Sequence, residues 1–102
     1  MTVVALVTDL MDRSKLSTAV PGVTFARAVD GCSDASVVII DLARYGDDVA
    51  AVRAVAPRAR IIGFGPHVDG EGAERARAAG ADVVLARSRF FRDPAAITSS
   101  RA

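Results

Sequence analysis

Ser36-Val37-Val38-Ile39-Ile40-Asp41-Leu42 is a run without a polar break from Val37 to Ile40 that ends in a carboxylate. Four consecutive β-branched residues are too continuous for a strand with one wet face, and predict a central strand of a parallel sheet covered on both sides. Thr2 to Thr8 (TVVALVT) has the same character and is followed by Asp9. Two strands therefore end in Asp at one edge of the sheet. In open α/β sheets ligands and chemistry collect at that carboxyl edge, because the loops converge on it. Arg60 to Phe64 (RIIGF) and Asp82 to Ala86 (DVVLA) read as two more apolar strands. Val23 to Val29 (VTFARAV) alternates, which predicts an edge strand with one face in water.

Helical spacing fills the gaps. Leu10 to Val20 carries Leu10, Leu16 and Val20 and is stopped by Pro21-Gly22. Asp47 to Ala56 places Val49, Val52 and Val55 on one face, with acids at its start where the macrodipole favours them, and ends at Pro57. Glu71 to Ala79 presents Ala73, Ala76 and Ala79 for close packing, with Gly80 as its C-terminal cap. Asp93-Pro94-Ala95-Ala96-Ile97 opens a short last helix. One connection is anomalous. Only Asp30 to Ser36 separate the second strand from the third, whereas a parallel crossover usually takes a dozen residues and a helix. Seven residues reach about 23 Å when extended, so the connection closes without a full helix. The sheet face beside the second strand then either lacks cover, which favours a partner or a second copy, or is closed by neighbouring side chains.

Composition narrows the function classes. The chain of 102 residues is expected to form one domain over 1–102, with a core of Val, Ile, Leu and Ala, since only 5% of residues are aromatic. Thirteen basic residues against twelve acidic ones leave no global field for nucleic acid or anionic lipid. The single cysteine, Cys32, rules out an internal disulfide framework, and with no paired histidine it reads as a small core residue. No run approaches the roughly 20 apolar residues of a membrane span, and no secretory leader is evident; a soluble cytoplasmic protein is expected. Gly63, Gly65, Gly70 and Gly72 do not make a phosphate-binding fingerprint, because that motif should follow the first strand. His67, alone in a Gly/Pro loop, reads as an exposed loop residue rather than a metal or cofactor ligand.

Asp41 after VVII, the strand RIIGFG, and above all Ala78-Ala79-Gly80-Ala81-Asp82-Val83-Val84-Leu85-Ala86-Arg87 resemble the receiver domains of bacterial response regulators. The resemblance covers nearly the whole chain. It implies a doubly wound flavodoxin-like α/β fold with five parallel strands in the order 2-1-3-4-5, here with the second helix shortened or missing. It also implies a phosphoacceptor at Asp41, Mg²⁺ held weakly by Asp9 and Asp41 with the carbonyl of Ala43, and a phosphate or charge contact from Arg87. The pattern is incomplete. Thr8 stands where a first acid of the metal-binding pair is usual, Gly65 where a switch hydroxyl is usual, and Arg87 where lysine is usual; a planar fork and a point charge are not interchangeable.

These departures favour a stand-alone, non-enzymatic regulatory or adaptor module that does not depend on phosphorylation, with Asp41 paired to Arg87 or bonded to loop amides. The alternatives are a working Asp41 phosphoacceptor in a two-component relay, and a small-ligand binder at the strand ends around Asp9, Asp41, Gly65 and Arg87. In Arg87-Ser88-Arg89-Phe90-Phe91-Arg92 arginines interleave with two adjacent aromatics. Two neighbouring side chains cannot both enter one core from a regular strand, so Arg89, Phe90, Phe91 and Arg92 are read as a surface for a protein partner or a homodimer. Single-stranded nucleic acid, which also favours such mixtures, is disfavoured by the absence of a basic stripe elsewhere.

Overall fold

The strongest hydrophobic runs form the sheet. The computed structural model describes residues 2–65 and 70–99. Strands β1 (Val3–Leu6), β2 (Thr24–Phe25), β3 (Val37–Asp41), β4 (Arg60–Gly65) and β5 (Val83–Ala86) make one sheet in the order β2-β1-β3-β4-β5, with every pairing parallel. Because side chains alternate along a strand, β3 supplies two cores. Val38 and Ile40 join Val4, Leu6 and Ile61 on one face; Val37 and Ile39 join Val3, Ala5, Val7 and Ile62 on the other.

Helices α1 (Leu10–Ala19), α2 (Leu42–Tyr45), α3 (Val49–Val55), α4 (Gly70–Ala79), α5 (Arg87–Phe90) and α6 (Pro94–Ser99) follow the strands. The first face is covered by α3 and α4, through Val49, Val52, Ala73 and Ala76. The second is covered by α1, through Leu16, and by α5 and α6, through Phe90 and Ile97. Pro21-Gly22 ends α1 in a turn with Gly22 at φ 88°, closed by the Val23 N–H donating to Val20 O at 3.1 Å. Gly80 at φ 125° ends α4, and the Ala81 N–H returns to Ala76 O at 3.0 Å, as a glycine-capped helix end requires.

The short crossover contains one 3₁₀ turn, Val29–Cys32, in place of a second helix. Cys32 is fully buried, and Val29, Ala26 and Ala35 pack around the same core. Side chains of the connection itself thus close the face that the sequence left in question. The edge strand is only Thr24–Phe25, shorter than the predicted Val23 to Val29, because the chain bends inward to deliver Val29 and Cys32. No helix among the described residues is long and apolar enough to cross a membrane.

Candidate functional site

Strand register brings the carboxylates together. Leu6 pairs with Ile40, so the residues after β1 and the end of β3 lie side by side. Asp41 pairs with Phe64 and Gly65 with Ala86, which puts Arg87 on the same edge. Asp41 is the N-cap of α2, its Oδ1 accepting from the Ala43 N–H at 3.1 Å. Asp9 caps α1 in the same manner, its Oδ1 accepting from the Asp12 N–H at 3.0 Å. Both are short-range bonds dictated by an Asp placed just before a helix.

The decisive group is Asp12, which sequence reasoning did not single out. It is 0% exposed, and both of its oxygens are taken by Arg87: Nη1 donates to Oδ2 at 2.7 Å and Nη2 donates to Oδ1. Of the two roles expected for Asp41, the structure shows the bond to a loop amide, from the Ala43 N–H, and not the pair with Arg87. Arg87 closes a two-point bond with a helix residue instead, the geometry that gives Arg–carboxylate pairs their strength, and it acts on Asp41 only through space. A signal for Asp12 existed: Asp12, Leu16 and Val20 are spaced by four, so a carboxylate stands on the buried stripe of α1 and needs a cation there.

Arg87 also lies against two rings. Its guanidinium carbon lies 5.1 Å from the Phe91 centroid and 5.9 Å from that of Phe64. Phe64 and Phe90 stack nearly parallel at 5.0 Å, and Phe91 stands edge-on to both. Lys15 Nζ lies 5.4 Å from the Phe91 ring. The α5 turn makes this cluster accessible to two neighbours in sequence, since consecutive helical residues diverge by only about 100°. Phe90 is fully buried, which removes it from the expected partner surface; Phe91 is half-buried, and Arg89 and Arg92 are exposed.

Burial raises the Asp41 pKa above its ordinary value; the Ala43 N–H pulls it down, the Asp12 charge raises it, Arg87 lowers it and Asp9 raises it. A cavity of about 490 Å³ lined by Thr8, Asp9, Asp41, Ala43 and Arg44 opens beside it. Asp9, Asp41 and Ala43, the set suggested for a weak magnesium site, line this cavity together, with two carboxylates rather than three. Asp9 and Asp41 each give an oxygen to a backbone amide, Asp12 is turned into Arg87, and among the described residues no three His, Cys, Asp or Glu side chains could hold a metal ion. Gly65, buried at the end of β4, presents no hydroxyl to the edge. The Cys32 thiol is buried, and burial and then the Asp30 charge raise its pKa, so it is not poised as a nucleophile. His67 lies outside the described residues.

The strand order and overall fold recur in solved structures. A response regulator from Thermotoga maritima is similar over 97% of this chain and 98% of its own, with TM-score 0.73 and 15% identity. The chain has the receiver fold. A Burkholderia pseudomallei response regulator, solved with a phosphorylated aspartic acid, calcium ion and citrate, gives TM-score 0.74 at 18% identity over 97% of this chain, which spans 66% of that longer protein. A Burkholderia pseudomallei protein described as pilus assembly-related shares the receiver fold at TM-score 0.68 and 17% identity, covering 98% of this chain and 91% of that one. No family model and no curated protein sequence matches the chain.

Proposed function

We propose that this chain is an atypical receiver-like regulatory domain, spanning 1–102, that acts by protein contact and does not depend on phosphorylation of Asp41. The observation that carries the reading is the Asp12–Arg87 pair. A phosphoryl group on Asp41 needs a cation free to meet it, and Arg87, the cation that the resemblance puts in that role, is already bonded at two points to a buried carboxylate, which leaves only the exposed Arg44 at the rim of the cavity. Losing that bond leaves Asp12 without a partner, a cost of several kcal/mol that a phosphate contact would have to offset. The missing switch hydroxyl at Gly65 and the missing first acid at Thr8 point the same way. The cation and the rings around it hold one arrangement, so the surface it supports is constant. Contact would run through Phe91, Arg89 and Arg92, either with a partner or with a second copy. This role is non-enzymatic and fits a cytoplasmic protein.

Intact mass after incubation with a small-molecule phosphodonor or with beryllofluoride, with and without Mg²⁺, tests the reading. The expected outcome is no Mg²⁺-dependent adduct in the parent chain or in Asp41→Asn. An adduct present in the parent and lost in the variant would establish a working phosphoacceptor instead.

A further inference from the structure

At the opposite edge of the sheet, where the strands begin, a cavity of about 750 Å³ is lined by Arg53, Arg58, Arg60 and Arg77 and, among the described residues, by one carboxylate, Asp82. Helices α3 and α4 end here, and helix C-termini present carbonyl oxygens that make such an edge electronegative. Arg53 reverses this. Its guanidinium donates to the carbonyls of Ala56, Pro57, Ala59 and Gly80 and pairs with Asp82 at 2.8 Å. Asp82 is further engaged by the Ile61 N–H at 2.8 Å. One arginine thus answers both the helix ends and Asp82.

The other cations are surplus. Among the described residues neither Arg58 nor Arg77 has an ion pair or a side-chain hydrogen bond. Arg60 gives Nη1 to the Ile97 carbonyl, yet its Nε is buried without a partner, and so is the hydroxyl of Thr98, a residue only 3% exposed. Buried polar atoms in native folds nearly always have partners. The two orphan atoms belong to residues that line the cavity but are shut off from it until a side chain rotates, while Arg58 and Arg77 are exposed there without an ion pair among the described residues; an anionic oxygen ligand would answer both. Planar forks match phosphate oxygens at two points, and the groove is open enough for a compact anion to enter.

We propose that this edge binds a compact phosphate-bearing small molecule, with Arg58 and Arg77 as the ion-pairing groups and Arg60 and Thr98 completing the shell after a small side-chain rotation. The site is independent of Asp41 and Arg87, which lie at the other ends of the strands.

Inorganic pyrophosphate is the first probe, titrated at constant ionic strength while backbone amide chemical shifts are followed. Saturable one-site shifts are expected around Arg58, Arg60, Arg77, Gly80 and Thr98, with Asp9 and Asp41 unmoved. The double variant Arg58→Ala/Arg77→Ala, altered only at exposed positions, should bind about tenfold more weakly or worse with its other amide shifts preserved. Thr98→Val keeps the side-chain shape and should weaken binding while leaving the Asp12–Arg87 edge undisturbed. Shifts that do not saturate, that spread equally to Arg89 and Arg92, or that persist in the double variant would overturn the proposal. So would citrate binding as tightly as pyrophosphate, because the phosphate assignment would then fail.

Discussion

Asp12 is sealed from water while the Arg87 side chain is 40% exposed, so the two halves of their bond are not equivalent. Arg87→Ala leaves a buried carboxylate alone, and such a loss costs about 3 kcal/mol or more. Asp12→Asn leaves a guanidinium that rehydrates at the surface, and should cost clearly less. Denaturant midpoints of the two variants check the order; equal losses would mean that Asp12 reaches water. Asp41 behaves differently. Its folded-state pKa is raised, chiefly by burial, so the folded chain binds the proton more readily than the unfolded one, and the stabilisation belongs to the protonated form. That contribution is complete below the ordinary carboxylate value of 3.8 and is lost as pH rises through the folded ionisation. Asp41→Asn, which keeps an oxygen for the Ala43 N–H, is therefore expected to be more stable than the parent at pH 7, with the margin shrinking on acidification. Unfolding midpoints across that range test the sign. Asp9, Asp41 and Arg87 were legible because each stands at the end of an apolar run; Asp12 was not, because a carboxylate in the first turn of a helix ordinarily needs no explanation beyond the macrodipole.

Elements long enough to show a period were read correctly, and those of a single turn were not. Strands β1, β3, β4 and β5 follow the apolar runs, and α1, α3 and α4 follow the helical spacing, although α3 begins only at Val49 after a 3₁₀ turn over Gly46–Asp48. Leu42–Tyr45 and Arg87–Phe90 are one-turn helices, too short for a periodicity to appear. The second of these explains how Phe90 and Phe91 both reach Phe64, which a strand would forbid. Gly80 was legible as a cap, and its structural role is stricter than that. At φ 125° an added Cβ would lie 2.9 Å from the Arg53 Cβ, so Gly80→Ala combines backbone strain with displacement of the arginine that gathers the ends of α3 and α4. It should destabilise the chain by more than about 1 kcal/mol, read as a lowered thermal midpoint, and a neutral result would mean that Arg53 can move aside freely.

For the whole molecule, strand order followed from resemblance and the number of strands from the hydrophobic pattern, while the distribution of charge between the two sheet edges followed from neither. Net charge near zero conceals a carboxylate edge and an arginine edge, separated by the length of the strands; only the fold sorts them. The Asp12–Arg87 bond also joins residues 75 positions apart, the first helix to the turn after the last strand. Closing a loop of that separation costs more chain entropy than a local contact does. Until β5 is in place, α1 cannot bury Asp12 without isolating its charge. The buried charge of the first helix is thus matched only in the complete sheet, by a residue that follows the last strand.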